Sequence, residues 1–337
     1  MRLLLTGGSG FIATHTIVSL HQAGHSFIVA DNFVNSSPKA ITQTECIIKE
    51  SIKVYKIDVC DAKALQHVFS ENHIDAVIHF AGLKAVGESV YKPLEYFRNN
   101  IDSTLTLLET MRSFHVKKII FSSSATVYGT PDALPLSEDM PCKPCINPYG
   151  WTKYTIERIL ESVFTSDNEW SIMILRYFNP VGAHESGLIG DNPCSMPNNI
   201  MPILINAALG KTEGFRVFGN DYQTHDGTCV RDYIHVMDLA KGHTHACEYT
   251  SNHTGLEIVN LGTGIGHSVF ELFNTFNQVN ALSIPYTITS RRPGDTDASY
   301  ANPQKAKKLL GWQAEKSLAD MCVDAWKFAK NNPNGYI

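Results

Sequence analysis

The sequence predicts an α/β fold, a doubly wound parallel sheet carrying a smaller, discontinuous α/β lobe. Two observations predict it. Short apolar runs with strand character recur at residues 3–6, 27–31, 54–58, 76–80, 119–122 and 172–176, with helical stretches between them. That alternation is the signature of a parallel sheet covered by helices on both faces. The second observation is the turn that closes the first run, Thr6-Gly7-Gly8-Ser9-Gly10-Phe11-Ile12-Ala13. Sheets of this class bind ligands beyond the carboxyl ends of their strands, where this turn lies.

Gly8-x-Gly10-x-x-Ala13 fits a dinucleotide fingerprint in its alanine-ended form, and Gly7 and Gly10 also fit a wider Gly-x-x-Gly spacing. Glycines there let the backbone turn tightly and approach a pyrophosphate at a helix N-terminus. Asp31 ends the second run about 20 residues on, as the fingerprint requires. An acid there accepts hydrogen bonds from an adenosine ribose and repels a 2′-phosphate, so NAD is expected rather than NADP. The sheet is therefore expected to be Rossmann-type.

The chain has 337 residues, of which 43% are hydrophobic and 18% charged. That composition allows a large core in two lobes. A net charge of -5 argues against nucleic acid as a partner. No apolar stretch is long enough for a bilayer, so no membrane partner is expected. The apolar run at residues 3–5 is too short for a signal peptide, and the cytoplasm is the expected location. Eight scattered cysteines read as small buried hydrophobes in a reducing compartment. Cys142-x-x-Cys145 has no second ligand pair and reads as structural. The rings of His243-x-His245 diverge on a helix, and no metal is expected there.

The candidate chemistry lies in Asn147-Pro148-Tyr149-Gly150-Trp151-Thr152-Lys153. Asn147 suits an N-cap and Pro148 a first helical position. Tyr149 and Lys153, four apart, then share one helix face. A free tyrosine titrates near pH ~10, and a fixed cation beside it favours the phenolate. Such a tyrosine takes a proton from an alcohol or gives one to a ketone. The strand ending in Ser122-Ser123-Ser124 precedes this helix and brings hydroxyls to the ligand side; Ser124 is the candidate to bond the same substrate oxygen. Two apolar stripes, Ile156/Ile159/Leu160/Val163/Phe164 and Leu94/Phe97/Ile101/Leu105/Leu108/Met111, are expected either to pack on the sheet or to meet a second subunit.

Glycine fingerprint, strand-end serine and Tyr-x-x-x-Lys in this order resemble the extended short-chain dehydrogenase/reductases. Ser122-Ser123-Ser124-Ala125-Thr126-Val127-Tyr128-Gly129, Leu175-Arg176-Tyr177-Phe178-Asn179-Pro180, Arg231-Asp232-Tyr233-Ile234-His235 and Arg291-Arg292-Pro293-Gly294-Asp295 narrow the resemblance to the UDP-glucose 4-epimerases, over essentially the whole chain. The resemblance implies an isomerase in which Tyr149 removes the sugar 4-hydroxyl proton while tightly held NAD takes the C4 hydride. Ser124 bridges hydroxyl and phenol, and Lys153 lowers the tyrosine pKa and holds the nicotinamide ribose. The 4-keto sugar turns about its diphosphate and takes the hydride back on its other face.

The resemblance also implies cofactor contacts at Gly7, Gly10, Phe11, Ile12, Asp31, Asn32, Phe33, Val34, Asn35, Ser36, Asp58, Val59, Phe80, Ala81, Gly82, Leu83, Lys84, Asn99, Ser122, Ser124, Tyr149, Lys153 and Phe178. It implies substrate contacts at Ser124, Tyr149, Asn179, Asn199, Phe218, Arg231, Tyr233, Arg292, Asp295 and Ser299, and a homodimer joined by the helices of the two stripes. Arg231 and Arg292 suit a diphosphate because a guanidinium pairs phosphate oxygens bidentately. Asp295 suits a ribose hydroxyl.

Departures from the family pattern carry their own expectations. Ala13 replaces the third glycine and crowds the first helix slightly. Trp151 is bulkier than usual and is expected to face away from the cofactor. Ser299, small where the family has a gate beside the sugar 2-substituent, implies room for an N-acetyl group; Tyr300 next to it leaves a bulky gate open as the alternative. A 4,6-dehydratase would need an Asp-Glu pair where Ala125 and Thr126 stand. A uronate or pentose epimerase, or a regulator that keeps NAD without catalysis, stays open. Residues 1–179 with 231–262 are expected to hold NAD, and 180–230 with 263–337 to hold the UDP-sugar.

Overall fold

A computed structural model describes residues 1–193, 197–292 and 294–336. The first half alternates strand and helix. β1 (Arg2–Thr6) leads into α1 (Phe11–Gln22), β2 (Ser26–Asp31) into α2 (Pro38–Ile48), and β3 (Lys53–Lys56) into α3 (Ala62–Glu71). β4 (Ala76–His79) is followed by α4 (Val86–Tyr91) and the long α5 (Pro93–Ser113). β5 (Lys118–Ser124) ends in a single 3-10 turn, and α6 (Pro148–Ser166) and β6 (Ser171–Tyr177) come next.

The second half is less regular. It runs through β7 (Asn179–Val181), α7 (Ile200–Ala208), β8 (Phe215–Phe218), β9 (Val230–Arg231), β10 (Tyr233–His235), α8 (Val236–Asn252) and β11 (Gly255–Leu261). The chain closes with β12 (His267–Ser268), α9 (Val269–Val279), β13 (Tyr286–Thr289), β14 (Ala298–Ser299), α10 (Gln304–Leu310) and α11 (Leu318–Asn331).

Seven parallel strands form the main sheet in the order β11-β6-β5-β4-β1-β2-β3. The predicted α/β fold is borne out. Leu3, Leu4 and Leu5 are all fully buried because both faces of the sheet are covered. Alternate side chains go to opposite faces. Leu3 and Leu5 join Ile17, Leu20 and Ile41 on one face, while Leu4 joins Leu65, Leu107, Ile156 and Leu160 on the other. Strand order reverses between β1 and β4, and that switch point opens a crevice at the carboxyl edge. β3 and β4 stop at Lys56 and His79, so Asp58 and Phe80 fall in the loops that line this crevice.

The late run at 258–262 lies in β11, which pairs with β6. A separate apolar cluster, including Met201, Leu204, Phe215, Phe273, Phe276 and Trp326, holds α7, α9, α11, β8 and β13 together.

α5 buries only part of its apolar stripe. Its inner face is Tyr96, Asn100, Ser103, Thr104, Leu107, Leu108 and Met111. Leu94 is 79% exposed and Leu105 41%. Polar side chains turn inward because this stretch of α5 packs beside α6 and the crevice, where Asn100 donates to Thr152 Oγ1 at 3.0 Å. On α6, Ile156 and Leu160 are buried and Ile159, Val163 and Phe164 are half-buried.

Candidate active site

α6 starts where its sequence dictates. Asn147 Oδ1 accepts from Gly150 N at 2.8 Å, and Pro148 takes the first helical position. Tyr149 is thereby fixed in the first turn, with Lys153 one turn on, facing the end of β5. The Lys153 Nζ donates to the Ser122 carbonyl at 2.6 Å and lies 4.8 Å from the Phe121 ring centre and 5.9 Å from that of Tyr149. Ser124 caps the turn after β5, accepting from Thr126 N at 3.2 Å and Thr126 Oγ1 at 3.0 Å. Trp151 is exposed and lies off the crevice.

The electrostatics differ from the sequence-based expectation. Burial pushes the Tyr149 phenol up to about 12, and the Ser124 hydroxyl pulls it down. Burial also draws the Lys153 ammonium down to about 8, opposed by the Glu157 charge. At this phenol, desolvation outweighs the Ser124 hydrogen bond.

A cavity of about 980 Å³ runs from the glycine turn past this pair to the second half of the chain. Of the sequence-predicted cofactor residues, Gly7, Gly10, Phe11, Ile12, Asp31, Asn32, Val34, Asn35, Ser36, Asp58, Val59, Phe80, Ala81, Gly82, Leu83, Lys84, Asn99, Ser122, Ser124, Tyr149, Lys153 and Phe178 line it. Phe33 does not. It has a positive φ of 60° and donates its N–H to Asp31 Oδ1 at 2.8 Å, so it shapes the loop rather than the wall.

The residues present fit a dinucleotide. Gly7 has φ +66°, and a Cβ there would sit 2.7 Å from Ala81 N, so only glycine lets the first turn close on the loop after β4. No side chain caps α1, which leaves its first-turn N–H groups facing the cavity. The Ser9 hydroxyl is buried with no partner among the described residues. Asp31 already accepts from Ser9 N at 2.9 Å and Ser36 Oγ at 3.0 Å, which orders both walls of the nucleoside end. Ala13 is buried in the same turn.

The opposite wall carries Asn179, Asn199, Phe218, Arg231, Tyr233, Arg292, Asp295 and Ser299, all lining the same cavity. Asp295 stands between two guanidiniums. Arg292 Nε donates to its Oδ2 at 3.1 Å, and Arg231 Nη2 lies 3.6 Å from its Oδ1. The Arg231 Nη1 is held by the Val230 and Thr296 carbonyls at 2.8 and 2.9 Å. Arg292 lies 5.0 Å from the Phe218 ring centre. Pro293, in the middle of this motif, lies outside the described residues. Ser299 reaches the cavity, whereas the Tyr300 ring is turned to Gly266, 3.1 Å from where a Cβ would stand.

Sequence reasoning missed Tyr177 and Glu157. The Tyr177 ring lines the cavity and its hydroxyl meets the Nε2 of His243. Glu157, four residues after Lys153, is wholly buried. Tyr177 sits within a quoted motif, and Glu157 is marked only by its helical spacing from Lys153. Cys142 and Cys145 are free thiols, both pushed up by burial. His243 and His245 take different partners, His245 bonding the Leu310 carbonyl at 2.9 Å.

The likeness to known proteins covers the whole chain. A family model described as GDP-mannose 4,6 dehydratase matches residues 4–325. The UDP-glucose 4-epimerase of Bacillus subtilis is 51% identical over 336 residues, 100% of this chain and 99% of the relative. The chain belongs to the UDP-glucose 4-epimerase family. Among solved members of the family, the crystal structure from Bifidobacterium longum in complex with NAD+ and UDP superposes with a TM-score of 0.97 at 51% identity, covering 99% of this chain and 100% of that one. That from Stenotrophomonas maltophila, with bound NAD and formylated UDP-arabinopyranose, gives 0.96 at 41% identity, covering 99% of each chain. The protein is an NAD-dependent isomerase of the extended short-chain dehydrogenase/reductase type, and it interconverts UDP-hexoses at C4. Among the described residues, no helix is long and apolar enough to cross a membrane.

Proposed function

We propose that Tyr149, Ser124 and Lys153 carry this epimerisation. One observation supports the reading above others. The three groups meet on the cavity wall between an uncapped helix N-terminus flanked by Gly7 and Asp31 and a pair of arginines bridged by Asp295. A dinucleotide on one side and a nucleoside diphosphate on the other bring a sugar ring to Tyr149.

When bound, NAD accepts the C4 hydride and returns it. The chain supplies the rest. Ser124 and Tyr149 hold the 4-hydroxyl, and its proton passes to the Tyr149 oxygen. The Lys153 ammonium, anchored on the Ser122 carbonyl, stabilises the phenolate state against burial. Arg231 and Arg292 exchange Asp295 for diphosphate oxygens and keep the nucleotide fixed while the 4-keto sugar turns. The hydride would return to the other face of C4, and Tyr149 gives the proton back to the 4-oxygen.

Residues 1–179 with 231–262 form the NAD side in this reading, and 180–230 with 263–337 the UDP-sugar side. Ser299 leaves room beside the sugar C2, so UDP-GlcNAc and UDP-GalNAc are substrates as well. The working unit is a homodimer built on the exposed seam of α4, α5 and α6. The reducing interior of the cell suits its free thiols.

Tyr149→Phe tests the base. It should retain NAD and UDP-galactose binding and lose kcat by about 10²-fold or more. Near wild-type turnover would remove Tyr149 from the mechanism.

A further inference from the structure

Behind the catalytic pair lies a buried charged cluster that proton transfer does not itself use. Glu157 stands four residues after Lys153 on α6, with its carboxylate fully enclosed. An unpaired carboxylate there would be costly. Arg176 of β6 meets it at two points, Nε to Oε1 at 3.0 Å and Nη2 to Oε2 at 2.7 Å. Ser123 of β5 donates its hydroxyl to Oε1 at 2.5 Å. The guanidinium is itself fixed, 4.7 Å from the Tyr128 ring centre, with Nη2 3.4 Å from Cys142 Sγ. One carboxylate therefore joins three elements of the site. Ser123 is the neighbour of Ser124, Arg176 is the neighbour of Tyr177, and Glu157 shares a helix face with Tyr149 and Lys153.

We propose that Glu157 is a positioning residue for the epimerisation: its carboxylate pins α6 to β5 and β6, holds Tyr149 and Lys153 in register with Ser124, and keeps the Lys153 ammonium charged. Charge-assisted, bidentate bonds suit this role because they fix orientation as well as distance. Electrostatics agree, since Glu157 is the group whose charge opposes burial at Lys153. Among the described residues, the other groups beside Lys153 are neutral or cationic in the resting protein. β5 presents the Phe121 ring and the Ser122 carbonyl, and β4 presents His79, held neutral by burial at about 3. α6 presents Tyr149, its phenol pushed up by burial, and the Arg176 of β6 is occupied by Glu157.

The proposal rests on the Tyr149–Lys153 reading, and the test separates the two. In NAD-loaded protein, Glu157→Gln should lower kcat for UDP-galactose about tenfold or more with KM within about twofold. The alkaline limb of its kcat–pH profile should move to lower pH, because Lys153 loses its proton more readily without the anion. Gln leaves Arg176 buried and unpaired, so Glu157→Gln combined with Arg176→Met, which removes both charges, is made alongside and should show the same displaced limb. Wild-type kcat and a superimposable profile in either folded variant would overturn the proposal. If neither folds, Ser123→Ala carries the positioning claim: a several-fold lower kcat at unchanged KM supports it, and unchanged kcat overturns it. A Tyr149→Phe protein that stays active overturns the underlying reading instead.

Discussion

Burial acts on Tyr149 and Lys153 in opposite senses. It raises the phenol and lowers the ammonium, so both shifts favour neutral forms and move the two proton affinities apart. In the proposed reading, a proton moving from substrate to the Tyr149 phenolate therefore meets a base strong enough to hold it. In the same reading the deciding side chain at the sugar is Ser299, which lines the cavity while the Tyr300 ring is turned to Gly266. Ser299→Tyr should abolish turnover of UDP-GlcNAc while keeping most UDP-galactose turnover, as a coupled assay on both sugars will read. Wild-type protein that ignores UDP-GlcNAc would sink the proposal. The small size of Ser299 was legible in the sequence. The direction of Tyr300 was not, since only the pairing of β14 with β9 sets which of two adjacent side chains reaches the cavity.

Among the elements, α5 and α6 have the most to explain. They pack on each other, yet Val90, Tyr91, Leu94 and Leu105 stay exposed around them. A run of large exposed apolar side chains on adjacent elements marks an interaction surface. Leu94→Glu should therefore give a folded monomer by sedimentation where the wild type gives a dimer; a monomeric wild type would refute the assembly. The strands of the sheet were legible because short apolar runs buried on both faces need no partner information. The inner face of α5 was not, because Asn100, Ser103 and Thr104 are polar and their burial depends on bonds to loops and α6 that periodicity cannot show. Glu157 escaped for the same reason, since its Arg176 partner lies on another element.

Across the whole molecule, His15, His79 and His243 are buried and neutral, lowered by desolvation to about 3, 3 and 4. The unfolded chain binds their protons near pH ~6.5. Between that pH and the folded values the unfolded state holds more protons, so stability falls as pH falls. Each histidine contributes about 2 kcal/mol of this loss at pH ~5. Thermal midpoints should drop between pH ~7.5 and pH ~5, and an equal or higher midpoint in acid would contradict the assignment. The central sheet and the switch-point crevice were legible from strand spacing and one glycine turn. The opposite wall was legible only through motif resemblance, because its residues come from short strands and loops spread over the second half.

Asn100 has a consequence for how such an enzyme keeps time. Its amide takes the Leu83 N–H at 2.7 Å, gives a hydrogen to the Leu83 carbonyl at 3.0 Å, and gives another to Thr152 on the helix of Tyr149. The cavity-lining loop at Leu83 and the helix that carries Tyr149 are thus braced by one side chain. An enzyme that must return its hydride to the molecule it came from cannot let donor and acceptor drift apart between the two half-reactions. If Tyr149 is the base, as proposed, the Asn100 brace builds that alignment into the fold itself.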